Sequence, residues 1–205
     1  MTRLLGLYLR SRRVPVALPA AVIATAVVSV PGAAGDDPQR TLVFTVFALA
    51  LGVSVLGNGL GGAHETLERT AAVPWARWRS GHLVAIAVTV CAVASLTSGA
   101  PAGTVIRDAA GLAGLTALAS AAFGHQLAWT LPLAWAGTAA VVPPVAQPVL
   151  LHVLTWPLQP PDAPAATVVA AALAATGLVT YAVRGSRPVD HPPGATASGD
   201  SRCPA

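Results

Sequence analysis

No formal charge interrupts the chain between Val14 and Ala34, and stretches of similar length and character recur as far as residue 183. An apolar run of about 20 residues is what a helix needs to cross a hydrocarbon layer ~30 Å thick. The runs predict six spans, at 14–34, 41–60, 82–99, 105–123, 127–144 and 164–183. Soluble domains carry roughly 25% charged residues, whereas this chain carries 10% and has a mean hydropathy of +0.65. The sequence therefore reads as an all-α, polytopic integral membrane protein with about six transmembrane helices.

Every basic residue is an arginine, and the arginines sit at the edges of the apolar runs. That placement fits the positive-inside rule better than a nucleic-acid footprint, so no nucleic-acid partner is expected. Residues 1–13, MTRLLGLYLRSRR, set Leu4, Leu5, Leu7, Tyr8 and Leu9 beside basic groups, as an interfacial amphipathic helix would. A signal peptide with its cleavage zone at PGAAG is the rival reading; the long basic start and the span-length run favour an uncleaved helix. With the N-terminus in the cytoplasm, Arg3, Arg10, Arg12, Arg13, Arg69, Arg77, Arg79, Arg184, Arg187 and Arg202 fall inside. Only Arg40 and Arg107 fall outside. Both termini are thus expected in the cytoplasm of a bacterial-type cell, with the chain multi-pass in its plasma membrane.

The spans from 14 to 184 form one transmembrane domain, followed by a polar tail, 185–205, expected to be disordered. The outer segment 145–163 is too apolar and proline-rich for a solvated loop. It is read as one or two helical turns in the interface, anchored by Trp156, with a buried re-entrant segment as the alternative. Arg107 and Asp108 stand at the outer mouth of the fourth span, where the arginine would snorkel to water. Small residues are dense, with Ala113, Ala117 and Ala121 four apart, and such rows let helices approach closely.

Catalytic motifs fail on spacing. His64-Glu65-Thr66-Leu67-Glu68 begins like a zinc-protease helix, but that helix needs a second histidine four residues on, and position 68 is glutamate. A phosphate-cradling P-loop ends in a lysine, which the chain lacks. There is no nucleophile elbow, and Cys91 and Cys203 imply no disulfide. No catalytic, cofactor or metal residues are assigned.

One stretch breaks the apolar monotony. Residues 61–82 read GGAHETLERTAAVPWARWRSGH. HETLERTAAV is expected to form a short amphipathic helix that Pro74 ends. In WARWRSGH, Trp75 and Trp78 stand three apart as interfacial anchors, with Arg77 and Arg79 facing headgroups. The order Glu65, Glu68, Arg69, Thr70, Pro74, Arg77, Arg79 resembles the coupling helix between spans two and three of ABC-2 type exporter permeases, which also open on a basic amphipathic helix. The resemblance covers most of the chain as architecture and one loop as motif; the outer region before the last span is shorter than the family's.

That resemblance implies a permease without its own ATPase, and hence not itself an enzyme. A separate ATP-binding cassette subunit would dock on loop 61–81, with Glu65, Glu68 and Arg69 making polar contacts. A second permease copy or paralogue would complete the path. The competing reading is a non-transporting scaffold that recruits a cytoplasmic partner through the same loop.

Overall fold

A computed structural model describes residues 14–61, 75–142 and 149–187. The described residues form helices joined by short turns, with no strand. In order, these are α1 (Val14–Ala33), α2 (Pro38–Gly57), α3 (Trp75–Thr97), α4 (Ala102–Phe123), α5 (Thr130–Val141), α6 (Val149–Leu154) and α7 (Pro164–Arg184). Single 3₁₀ turns follow α2 at Asn58–Leu60, precede α5 at His125–Leu127, and follow α6 at Trp156–Leu158. Five of the helices are long and apolar enough to cross a membrane: α1, α2 with its turn, α3, α4 and α7. The chain is a helical membrane protein of the multi-pass kind.

Helix boundaries follow local chemistry. Asp37 accepts the Gln39 N–H at 3.0 Å, and Pro38 occupies the first turn, where a missing N–H costs nothing. The stretch DDPQR, expected as an outer loop, is therefore largely a capped helix start. α3 begins at Trp75, not at 82, because WARWRS holds no breaker and Gly81 costs only about 1 kcal/mol inside a helix; the second half of loop 61–81 is thus the first turns of the third long helix.

The fifth expected span departs most from expectation. Its helix covers only 130–141. Twelve residues rise about 18 Å, well short of the hydrocarbon thickness, and the Pro143-Pro144 pair disfavours helix in the residue before it. Hydropathy alone could not register this, because the whole of 127–144 is uncharged.

Two helices form the centre. In its most apolar stretch α4 has 72% of its residues buried and α2 61%, against 22% or less for α1, α3 and α7. α1, α2 and α3 meet at Gly52, where a Cβ would lie 2.8 Å from Val90 and would collide with Thr25 Oγ1. At the ends of these helices Ser29 and Thr97 share a hydroxyl–hydroxyl bond of 2.6 Å, and Thr41 donates to the Gly32 carbonyl at 2.8 Å.

α4 and α7 form the second tight pair. Gly114 and Gly177 touch backbone to backbone: a Cβ on Gly177 would lie 2.6 Å from Gly114 Cα. Gly111 meets Ala170, Gly114 meets Leu173 and Ala174, and Arg187 N–H donates to the Ser120 carbonyl at 3.1 Å. Contact positions rise together along both helices, so α4 and α7 run parallel. The connection 124–163 therefore carries the chain back from the C-terminal end of α4 to its N-terminal end.

Candidate functional site

The bundle has two ends of different chemistry. One gathers Arg77, Arg79, Arg184 and Arg187; the other holds the turns at 34–37 and 98–101, with Arg107 just below its rim.

At the arginine-rich end, both flanks of the expected coupling loop are fastened to α7. Tyr181, fully buried, donates its hydroxyl to the Leu60 carbonyl at 2.6 Å. Nineteen positions further along the chain, Arg79 lies over the end of α7, where a Cβ on Gly185 would sit 2.9 Å from Arg79 Cζ. Gly185 has φ +72°, a conformation that glycine adopts freely and that leaves room for the guanidinium. His125 packs flat against Gly61, with its Cδ2 2.8 Å from the site of a Cβ there. Leu60, just before loop 61–81, and Arg79, near its far end, are thus both held at the end of α7.

Of the residues expected to form the ATPase-coupling site, Glu65, Glu68, Arg69, Thr70 and Pro74 lie outside the described residues. Arg77 is exposed and Trp78 is 40% exposed, as partners for headgroups would be. Trp75 is half-buried, with its indole N–H enclosed and unpaired among the described residues. Arg79 differs from the expectation: it turns toward α7 instead of facing headgroups, because it shares a helix face with Trp75, His82 and Leu83, the face that packs inward. Residues 185–187, assigned to the polar tail, are held on the end of α4 by Arg187; its N–H bonds Ser120 and its Nη1 bonds the Ala122 carbonyl at 3.3 Å.

Near the opposite end lies a polar knot that sequence reasoning misjudged. Arg107 does not snorkel. Its side chain is 5% exposed and turned into the protein, with Nε 2.8 Å from Asp108 Oδ1. Nη1 donates to the Pro160 carbonyl at 2.9 Å, and Nη2 to those of Gln159 at 3.0 Å and Pro157 at 3.5 Å. The cause is proline. WPLQPPDAP makes a single 3₁₀ turn, Pro160 and Pro161 deprive the Pro157 carbonyl of the N–H a helix would supply, and irregular backbone at membrane depth must be satisfied by protein. A guanidinium offers five donors in a fixed fork, enough for one carboxylate and three carbonyls.

Trp156 also differs from its assigned role. It is fully buried, not an interfacial anchor. Its ring lies against α4, where a Cβ on Gly111 would sit 2.5 Å from Cη2. Thr155, Leu158 and Gln159 are buried beside it, so this part of segment 145–163 enters the bundle. Trp135 on α5 donates to the Leu154 carbonyl at 3.1 Å, tying the short helix to the same segment. The legible signal was the Arg-Asp pair inside an apolar run together with a proline-rich segment; what paired them, some 50 residues apart, was not.

Among the described residues no group of three or more His, Cys, Asp or Glu side chains could hold a metal. No known protein family, curated protein or solved structure matches the chain. What the fold defines is therefore a class: a multi-pass helical membrane protein.

Proposed function

We propose that the chain is the membrane-spanning permease subunit of an ABC-2 type exporter in a bacterial-type plasma membrane. A separate ATP-binding cassette subunit drives it through loop 61–81, and a second copy or paralogue completes the path. It crosses six times with both termini in the cytoplasm, and 124–163 supplies the fifth crossing, broken after α5. The arginine-rich end is then cytoplasmic, as the positive-inside rule demands.

One observation carries the reading: both ends of the loop are tied to α7, by Tyr181 to Leu60 and by Arg79 over Gly185. A loop so clamped delivers any push it receives to α7, and through the Gly114–Gly177 contact to α4. The scaffold reading has its own support, since α4 and α7 are too closely packed for a path to run between them.

The test is co-purification of the tagged chain from its native membranes in mild detergent, with ATP hydrolysis measured in the eluate. A stoichiometric partner bearing a P-loop lysine, lost on Glu68→Arg while the chain stays inserted, is the expected result. A chain that elutes without an ATPase, under conditions that preserve a known complex, overturns the permease reading in favour of the scaffold.

A further inference from the structure

Beside the Arg107 knot, three buried polar atoms have no hydrogen-bond partner among the described residues: Asp108 Oδ2, Thr104 Oγ1 and the indole Nε1 of Trp156. All three residues are fully buried. The fold brings them together. Thr104, Asp108 and Gly111 share one face of α4, a turn apart. Trp156 sits on that face, where a Cβ on Gly111 would lie 2.5 Å from Cη2 and 2.9 Å from Cζ2. One ring carbon separates Cζ2 from Nε1, so the N–H side of the indole is the side that borders α4. Asp108 lies about 9 Å along α4 from Ala102, inside a helix long and apolar enough to cross the membrane. Lipid offers no hydrogen bond at that depth, and a polar group left unpaired there is costly.

Neighbouring charges do not meet the need. Arg107 gives Nε to Oδ1 and its Nη atoms to three carbonyls. α2, α5 and α7 pack around the 156–158 turn and carry charge only at Arg40 and Arg184, each at a helix end. Arg40 is exposed and lies over the Phe44 ring, and Asp162 is exposed too. The three groups differ in what they ask for. An ionised carboxylate oxygen only accepts, an indole N–H only donates, and a hydroxyl does either. A metal cation suits the carboxylate and the hydroxyl, but the indole N–H and the adjacent guanidinium oppose it. An anion meets the reverse conflict at Asp108. A neutral molecule that both donates and accepts satisfies all three, and the smallest is water, which makes about three hydrogen bonds when buried in protein. We propose that this place is a binding site for one structural water, which donates to Asp108 Oδ2, accepts from Trp156 Nε1 and takes Thr104 Oγ1 as its third partner. The carboxylate is then tied to the proline-rich segment twice, through Arg107 on one oxygen and through water on the other. The site uses no residue of loop 61–81 and does not depend on the permease reading.

The test is a crystal structure of the full chain grown from a lipid mesophase, at a resolution that shows ordered water, joined to ultraviolet resonance Raman spectra of the chain in detergent. The expected density is one isolated peak about 3 Å from both Asp108 Oδ2 and Trp156 Nε1. In the Raman difference between wild type and Trp156→Phe, the indole N–H marker should stand at its hydrogen-bonded position. Thr104→Val keeps the shape and removes one partner, and it should shift that marker toward the unbonded position. Gln147 is the one side chain of 143–148 able to hydrogen-bond, and it lies outside the described residues; Gln147→Leu should leave the marker where it is. An indole N–H bonded straight to Asp108 Oδ2, or a protein group of 143–148 standing at the peak, overturns the site. So does a marker that is unbonded in wild type, unmoved by Thr104→Val, or released by Gln147→Leu.

Discussion

Removing Arg107 tests whether the knot near the rim holds the proline-rich segment in place. The partners of Arg107 and Asp108 are unequal. Asp108 is fully buried; its Oδ1 meets only Arg107, and its Oδ2 has no partner among the described residues. Arg107 has the carboxylate and three carbonyls. Arg107→Met therefore strands a buried carboxylate and strips donors from irregular backbone. Breaking a buried pair from one side costs about 3–5 kcal/mol. Asp108→Asn leaves the carbonyl bonds in place and keeps an acceptor for Nε, so its cost is about 1–2 kcal/mol. In the double variant the stranded charge is gone and only under-donated carbonyls remain, at about 2–3 kcal/mol.

The double variant should thus be more stable than Arg107→Met alone, with a coupling of about 3 kcal/mol at the midpoints of these ranges. The assay is reversible unfolding of the detergent-solubilised chain in mixed micelles, followed by tryptophan emission, to which the buried Trp156 contributes. Additive costs, or equal costs for the two single changes, would refute the view that Asp108 depends on Arg107 more than Arg107 depends on Asp108.

Three further outcomes are expected. Gly177→Leu puts a side chain where even a Cβ lies 2.6 Å from Gly114 Cα; separating α4 from α7 should cost about 1–3 kcal/mol, read as a fall in the midpoint of the same unfolding transition, with Gly177→Ala milder. In a background lacking Cys91 and Cys203, a membrane-impermeant maleimide should label Asp37→Cys on intact cells and Arg77→Cys only after permeabilisation; the reverse pattern would invert the topology. Spin labels at the exposed Leu96 and Val168, near the Arg107 end, should change separation when the complex turns over ATP, while a pair at Val84 and Val183 should hold its distance. Movement at Val84–Val183 with none at Leu96–Val168 would put the hinge at the wrong end.

Much of this architecture was legible because the bilayer imposes it. An uncharged run of span length has few alternatives, and α1, α2, α4 and α7 begin and end within about three residues of their expected positions. Errors arose where a residue's partner lay far along the chain. Arg107 counts as an outer charge because positional rules assume that an arginine near a helix end reaches water; its actual partners are Asp108 and the carbonyls of Pro157, Gln159 and Pro160, in a segment that proline keeps irregular. Trp156 was read by its residue type as an anchor, but glycine at 111 opens a slot in α4 that takes the ring. The row Ala113, Ala117, Ala121 drew notice for its spacing, whereas the closest approach to α7 is at Gly111 and Gly114, where even a methyl would clash. The expected coupling motif is an order of residue types, which does not tell how Leu60 and Arg79 meet the end of α7.

Two closely packed helix groups stand out in the bundle, and how they are joined bears on how a permease of this shape would work. α1, α2 and α3 close on Gly52; α4 and α7 close on Gly114 and Gly177, and Arg107 adds the 157–160 backbone to them. At the arginine-rich end Tyr181 donates to the Leu60 carbonyl on one side of the loop, and Arg79 lies over Gly185 on the other. A body pinned at one end and pushed there moves most at the other. On the exporter reading, a push on loop 61–81 therefore tilts α4 and α7 about the cytoplasmic pins and displaces their far ends together with the proline-rich segment. The knot makes this possible: without Arg107 that segment would be free to stay behind, and the tilt would end at α4 without moving the backbone that closes the outer face.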